Sequence, residues 1–396
     1  MAETILWLLV GGIVGAMISA WYNTLVSQVQ SHSRTSRVRK RQTQDASGEV
    51  SRRVVQHYIE HGLEGDLYHP LFLGSSKPLA IVTHPSWKIQ RAVFPDDAGL
   101  VTLDAAVKNI FEVDQRLISK RQRQGVRIFD GEILYASALE DALGGGLSLR
   151  LARCSFFSHA TVSLRLDRAL RRSRGQTEYL EAHFAGAANT LRSPSVPLAV
   201  GSACAMVFIA PDGYDYIAIQ HRSAEVLAQG NLRSVVPCYG MESNQIGGVV
   251  SKYGVLAYNF LREYGEEIFD LEEVVHSVSS RRSSPDWILS LPPIASIESE
   301  LTSGRTKLYA TGVCILPRVG IVSVALLARS TSASFFEEVR AETRANWESI
   351  EGGNASPPIE FMRLDDSRID EWIANQQLGE SSSFAIDQAR RILRSK

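Results

Sequence analysis

Residues 5–26 form an apolar run of 22 residues in which no side chain is charged. At a rise of about 1.5 Å per residue, a helix over this run would extend about 33 Å, which is enough to cross the hydrocarbon core of a bilayer. Trp7, Trp21 and Tyr22 lie towards the two ends of the run, as expected for aromatic side chains at a membrane interface. We therefore expect a transmembrane helix within residues 1–30.

The charges on either side of this run predict its orientation. Only Glu3 and the free amine precede it, whereas five basic residues follow: Arg34, Arg37, Arg39, Lys40 and Arg41. Because basic residues stay on the cytoplasmic side, we expect a single-pass protein of the inner or plasma membrane with its later domains in the cytoplasm. A cleaved signal peptide is the competing interpretation, but no basic segment precedes the run. Gly11 and Gly15 have helix-pairing spacing, which favours a homo-oligomer.

The rest of the chain has the composition of an ordinary globular protein. Hydrophobic residues make up 44% of the sequence and the formal net charge is −1, so composition does not favour a specific nucleic-acid partner. The four cysteines include no Cys-x-x-Cys pair, which predicts buried reduced thiols. We expect a basic juxtamembrane linker and helix at 31–65, an α+β domain at 66–190, a second domain at 191–380 and a C-terminal helix or tail at 381–396.

Within residues 66–190, short apolar runs predict a small α+β domain. Strands are expected at residues 80–83, 126–129, 132–137, 147–152 and 161–164, and a helix at 103–122. Three glycines at 144–146 predict a hairpin loop, because a strand follows them instead of the helix that a phosphate-binding loop requires. No motif in this region indicates a function. Residues 156–159, which read Phe-Phe-Ser-His, could line a ligand pocket, and core packing is the alternative.

An acidic cluster near the middle of the chain is the main indication of function. It reads Arg262, Glu263, Tyr264, Gly265, Glu266 and Glu267. At about 100° per residue on a helix, the three glutamates fall within an arc of about 100°, and Asp270 returns to the same face. Mg²⁺ binds through a few carboxylates together with substrate phosphates. The spacing therefore predicts a site for Mg²⁺ or Mn²⁺; the plain alternative is a solvated acidic helix face.

The spacing resembles the Nudix box, in which a glycine is followed by a glutamate and then by Arg-Glu-hydrophobic-x-Glu-Glu-x-Gly-hydrophobic. Gly248 occupies the first glycine position, and residues 262–267 match the core of the box. Gly254 stands where the family has its first glutamate, Phe269 replaces the final glycine, and Asp270 replaces the final hydrophobic residue. The chain thus resembles a Nudix hydrolase with a degenerate box over roughly residues 193–377.

The resemblance implies roles for the residues of the core. Glu266 and Glu267 would bind the metal ion, and Glu263 would be a further ligand or the general base. Arg262 would orient these carboxylates. The implied catalytic and metal-binding residues are therefore the same three glutamates.

Three residues outside the core are expected to complete the binding site: Arg222, Glu242 and Gly248. Arg222 ends a predicted strand and is expected to contact phosphate or base, with a surface ion pair as the alternative. Glu242 lies in the loop before the box. Because residue 254 lacks a carboxylate, Glu242 or residues 337–338 would have to supply one.

The surrounding pattern matches the fold that the resemblance implies. Two hairpins are predicted, one from residues 205–209 and 216–220 and the other from residues 307–316 and 320–329. The expected fold class is α/β (α+β), with a Nudix-like mixed sheet flanked by helices. A smaller α+β domain and the transmembrane helix would precede it.

The expected function is a membrane-anchored, metal-dependent hydrolase that cleaves a nucleoside diphosphate linked to another group. The alternative is a weakly active or inactive Nudix-fold domain that senses a nucleotide in a membrane-linked signalling or defence system. A plain scaffold is the third possibility. In the first two cases the small-molecule partner is a nucleotide.

Overall fold

The computed structural model describes residues 48–394, apart from gaps at 72–76, 98, 109–110, 142–146, 172–175, 193, 195, 224, 228, 272–283 and 345–358. The predicted transmembrane helix, its Gly11 and Gly15 pair, the basic residues after it and the loop at 144–146 all lie outside the described residues. Within the described part, none of the helices is both long enough and apolar enough to cross a membrane.

The described residues contain fifteen strands and ten α-helices. The strands are β1 (Leu67–Tyr68), β2 (Leu79–Val82), β3 (Lys88–Ala92), β4 (Val101–Lys108), β5 (Glu132–Asp141), β6 (Leu147–Ser155), β7 (Ala199–Ile209), β8 (Asp215–His221), β9 (Arg233–Val235), β10 (Cys238–Gly240), β11 (Gln245–Ile246), β12 (Val249–Val250), β13 (Thr306–Leu316), β14 (Ile321–Ser330) and β15 (Ile359–Arg363). The helices are α1 (Glu49–Glu60), α2 (Gln115–Gln122), α3 (Phe156–Arg171), α4 (Gln176–His183), α5 (Ala187–Arg192), α6 (Val255–Glu263), α7 (Pro292–Thr302), α8 (Ala333–Glu342), α9 (Ser367–Ala374) and α10 (Glu380–Arg394). Short 3-10 helices cover Glu64–Asp66, Pro85–Trp87 and Pro285–Ser290, and a π-helical turn at Tyr264–Ile268 continues α6.

Thirteen of the described strands form one mixed sheet, in the order β1-β2-β13-β14-β7-β5-β6-β4. Strands β8 and β10 also pair with β7, β9 and β15 pair with β8, and β3 pairs with β13. Strand β7 is parallel to β14 and antiparallel to β5, β8 and β10. The fold is therefore mixed α/β, with a large mixed sheet and helices, in agreement with the expected α+β class.

The side chains of β7 show that helices cover both faces of this sheet. Val200, Cys204 and Met206 belong to the hydrophobic core that also contains residues of α1, α6, α7 and α8. Ala203 and Ala205 belong to a second core, formed with α9 and α10. Since successive side chains of a strand point to opposite faces, β7 lies between two helical layers. Both of its faces are therefore buried, which explains its nearly continuous apolar sequence.

The sheet continues across the expected domain boundary at residue 190. Strand β5 pairs with β7 through Tyr135 and Ala199, and β2 pairs with β13 through Val82 and Ile315. The division between residues 66–190 and 191–380 stays a prediction, and strands from both sides of it share one sheet. The expected C-terminal helix corresponds to α10, and the helix expected before residue 65 corresponds to α1.

Both predicted hairpins are present and are antiparallel. Val207 pairs with Ile217 in the first hairpin, and the second runs from Thr306 opposite Ser330 to Leu316 opposite Ile321. The strands predicted near residue 80 and within β5 and β6 are also observed.

Three predictions between residues 100 and 165 are wrong. Residues 103–108 belong to β4, which pairs in parallel with β6. Among the described residues of the predicted helix, only Gln115–Gln122 are helical. The helix begins late because Asp114 caps it: its carboxylate accepts the backbone N–H groups of Arg116 and Leu117, both at 3.1 Å. Residues 126–129 form a loop, and residues 161–164 lie within α3, where side chains on several sides are buried.

Candidate functional site

The start of α6 explains why residue 254 is a glycine. Gly254 is the N-cap residue of α6, and the Asp97 carboxylate accepts the backbone N–H of Leu256 at 2.8 Å. A Cβ atom on Gly254 would lie 2.3 Å from Oδ1 and 2.8 Å from the backbone nitrogen of Asp97. Asp97 is itself buried, and this burial is the main reason that the pKa of its carboxyl is raised. A side chain larger than that of glycine therefore has no space at position 254.

We expect Gly254→Ala to lower the free energy of unfolding by about 1–3 kcal/mol, as overpacking of a filled site does. The added methyl group would displace Asp97 and weaken the cap of α6. Gly65→Ala is the matched control, because nothing lies within 4 Å of a Cβ atom at Gly65. The control should stay within about 0.5 kcal/mol of the unmodified protein in urea unfolding. Equal stability of the two variants would contradict the crowding at Gly254.

The helix that carries the acidic cluster changes its geometry within the cluster. Glu263 is the last residue of α6, whereas Glu266 and Glu267 lie in the π-helical turn. Such turns are rare and often occur at functional sites. Gly265 allows the turn to pack closely, because a Cβ atom there would lie 2.9 Å from the Cδ1 atom of Ile294 in α7.

The predicted acidic residues share one cavity of about 410 Å³. Five of the predicted site residues line it: Arg222, Glu242, Glu263, Glu266 and Glu267. Its lining includes seven carboxylate and three arginine side chains. A cavity with this excess of negative charge attracts cations.

Arg262 holds two of the carboxylates in place. Its Nη1 atom donates to Oε2 of Glu266 at 3.0 Å, and its Nη2 atom donates to Glu263. The arginine side chain is only 4% exposed, and both glutamates are buried. Burial lowers the pKa of the Arg262 guanidinium, but the nearby charges of Glu242, Glu263 and Glu266 outweigh it and raise the pKa well above its usual value. The guanidinium is therefore always charged.

Glu267 connects the π-helical turn to the sheet. Its Oε2 atom accepts the backbone N–H of Cys238 at 2.8 Å and lies 3.5 Å from Nε2 of Gln220. Cys238 begins β10 and Gln220 lies in β8. The orientation of this carboxylate is thus fixed by two strands.

Arg222 and Glu242 reach the cavity from loops next to β8 and β10. The Nη1 atom of Arg222 donates to the carbonyl oxygen of Cys238 at 3.0 Å. The backbone N–H of Glu242 donates to Oδ1 of Asn259 at 2.9 Å, and Nδ2 of Asn259 donates back to the Glu242 carbonyl at 2.8 Å. This reciprocal pair fixes the Glu242 backbone against α6.

Gly248 does not line the cavity, so its position gives no support to the predicted binding role. It is exposed in the turn between β11 and β12, where Gly247 and Gly248 have φ values of 57° and 85°. Glycine suits this left-handed hairpin turn. Residues 337–338 are exposed on α8, and Glu338 accepts a hydrogen bond from Ser296 at 2.7 Å. Neither lines the cavity, so of the two candidates Glu242 alone adds a carboxylate to its lining.

Residues between 127 and 159 also contribute to this cavity, and of these the sequence singles out only residues 156–159 as a possible pocket lining. Phe156 and His159 of α3 line it, together with Phe129 and Ile133. His159 is 3% exposed, and its burial lowers the pKa of the imidazole to about 4. No motif marks these residues, because they lie far from the acidic cluster in sequence and join it only through the sheet.

Because the pKa of His159 is about 4 when folded and about 6.5 when unfolded, the unfolded chain binds its proton first as the pH falls. We therefore expect this residue to reduce the free energy of unfolding by about 2 kcal/mol between pH 7 and pH 5. Urea unfolding at both pH values measures this loss. Between pH 7 and pH 5, the free energy of unfolding of His159→Leu should fall by about 2 kcal/mol less than that of the unmodified protein. An identical loss in both proteins would contradict a buried neutral imidazole.

The carboxylate oxygens around the cavity are donors of the type that Mg²⁺ and Mn²⁺ prefer, so the residues fit such an ion chemically. Within the described ranges, however, no group of three or more His, Cys, Asp or Glu side chains is arranged to hold a metal ion. The guanidinium of Arg262 binds two of the candidate ligands instead. The chain matches no model of a known protein family, and a search of curated proteins found none that is similar.

Proposed function

We propose that this protein is a degenerate Nudix-like hydrolase that uses Mg²⁺ or Mn²⁺ to cleave a nucleoside diphosphate linked to another group. The observation that carries the proposal is the convergence of Glu242, Glu263, Glu266, Glu267 and Arg222 on one cavity of about 410 Å³. Cavities of about 300–1,000 Å³ are typical of small-molecule sites. The acidic helix face is directed towards this cavity, which favours a functional cluster over a solvated one.

The charge of the cavity supports a cation and a diphosphate together. Seven carboxylates against three arginines would repel a polyanion that arrived alone. A divalent cation between the carboxylates and the phosphates would remove that repulsion. Binding of the diphosphate should therefore require Mg²⁺ or Mn²⁺.

In the proposed reaction, Glu266 and Glu267 would hold the cation, which when bound would neutralise the oxygens of the diphosphate. Glu263 or Glu242 accepts a proton from water, and the oxygen of that water forms a bond to one phosphorus atom. The bridging P–O bond breaks, and its electron pair leaves with the other phosphate. Arg222 is placed to donate hydrogen bonds to a phosphate oxygen.

The test uses the full chain in detergent with Mg²⁺, ADP-ribose and a panel of nucleoside diphosphate derivatives. Calorimetry would measure binding, and analysis of the products would measure cleavage. We expect metal-dependent binding and release of a nucleoside monophosphate. If the protein bound none of these compounds and cleaved none of them, the proposal would be contradicted.

A nucleotide sensor without turnover is the second candidate function. It is favoured by the ion pairs of Arg262 with Glu263 and Glu266. It is also favoured by Asp97, which fills the space that a carboxylate side chain at position 254 would occupy. Both features reduce the number of carboxylate oxygens that a metal ion can use. Metal-dependent binding without product release would select this function.

We propose a single-pass anchor at residues 5–26, with the described domain in the cytoplasm and the anchor available for homo-oligomerisation. We expect deletion of residues 1–30 to move the protein from the membrane pellet to the soluble fraction of lysed cells. The reason is the loss of the 22-residue uncharged run. A deletion variant that still pellets with membranes after a high-salt wash would contradict a single anchor.

A further inference from the structure

The cavity has a second wall, which comes from the region whose role the sequence does not indicate. Eight of the lining residues lie between residues 127 and 159. Three of the four aromatic side chains in the lining belong to this segment: Phe129, Phe156 and His159. Phe129 is 59% exposed, so most of this apolar side chain is accessible.

Backbone hydrogen bonds attach this wall firmly to the acidic side of the cavity. The N–H of Leu134 donates to the carbonyl of Met241 at 3.0 Å, directly before Glu242. The N–H of Phe156 donates to the carbonyl of Gly131 at 2.8 Å, which joins α3 to the loop before β5. The aromatic side chains are therefore carried on backbone that is held at a fixed distance from the carboxylates, as a preformed binding site requires.

The wall also contains two neighbouring rings. Phe156 and His159 both lie in α3, and their ring centroids are 6.0 Å apart. The imidazole of His159 is 3% exposed and forms a hydrogen bond with the backbone of Pro197. Two adjacent rings that line a cavity suit a flat heterocycle.

We infer that residues 127–133, Phe156 and His159 form the subsite for the nucleobase of the ligand. This inference depends on the proposed function, because the acidic residues opposite would hold the diphosphate of the same molecule. Bases stack on aromatic side chains whatever their sequence identity, whereas sugar and phosphate groups gain little from such a surface. The region before residue 190 therefore contributes to the affinity for a nucleotide over that for its diphosphate group alone.

The test compares two non-hydrolysable ligands, α,β-methylene-ADP and methylenediphosphonate, by calorimetry with Mg²⁺ on the full chain in detergent. Phe156→Ala should weaken binding of the nucleotide about 10-fold and leave that of methylenediphosphonate within about twofold. Phe157→Ala is the matched control. Phe156 and Phe157 are both half-buried against the same small hydrophobic cluster, which includes Ile118 and Ala160, but Phe157 does not line the cavity. The control should bind both ligands normally.

Each other outcome contradicts the inference in a distinguishable way. Equal weakening of both ligands by Phe156→Ala would show a general structural role for the ring. Equal affinity of the unmodified protein for the two ligands would show that the base makes no contact, while the proposed diphosphate site would stand. Failure of the unmodified protein to bind either ligand would contradict both the inference and the proposed function.

Discussion

Simultaneous replacement of Glu266 and Glu267 by glutamine should lower metal-dependent hydrolysis by about 10³-fold. The substitution keeps the size of both side chains but removes the charge that a divalent cation requires. An amide oxygen at position 267 can still accept the N–H of Cys238, and one at position 266 can still accept from Arg262, as the carboxylates do. The melting temperature should therefore change little, and cleavage of the nucleotide panel measures the effect.

The matched control is the double replacement of Glu337 and Glu338 by glutamine. It makes the same chemical change on the exposed face of α8, away from the cavity. We expect the control to retain full activity. A large fall in melting temperature for the cavity variant, with no loss of activity per folded molecule, would mark its carboxylates as structural.

The sheet could be predicted in part from local sequence, because both long hairpins have apolar runs separated by short turns. Strand β7 pairs with β8 and β13 with β14, and these are contacts between neighbours in the chain. The pairing of β14 with β7, or of β5 with β7, joins segments that are far apart in sequence. Nothing in a local pattern specifies such long-range partners, so the shared sheet cannot be predicted from it.

The candidate site, like the sheet, could be predicted only in part from local sequence. Residues 262–267 were found because their spacing is regular on a helix and resembles a known box. The hairpin turn at Gly248 could not be predicted, because the alignment of a glycine with the box does not show its backbone conformation. For Phe156 and His159 the sequence allows a pocket lining or core packing and does not separate the two, because an aromatic residue on an amphipathic helix looks like any core residue. The role of Asp97 in filling the space beside Gly254 also depends on tertiary contact.

Replacement of Arg262 by methionine should lower the free energy of unfolding by about 3–5 kcal/mol, the loss expected when one partner of a buried ion pair is removed. Methionine retains most of the side-chain volume, so the loss reports charge and not a cavity. Glu263 and Glu266 would remain buried without the guanidinium that now contacts both. Denaturant unfolding of the full chain in detergent measures the change.

Arg150→Met provides the control for this prediction. Arg150 also pairs with a glutamate, at 3.4 Å from Glu140, but the two side chains are 47% and 53% exposed. Water can solvate either charge there, so the loss should be within about 1 kcal/mol. A triple variant, in which Arg262→Met is combined with Glu263→Gln and Glu266→Gln, should recover most of the lost stability, because no buried carboxylate is then left alone. If the triple variant is as unstable as Arg262→Met, the arginine stabilises the helix through packing. Neutralisation of the buried carboxylates by Arg262 would then be contradicted.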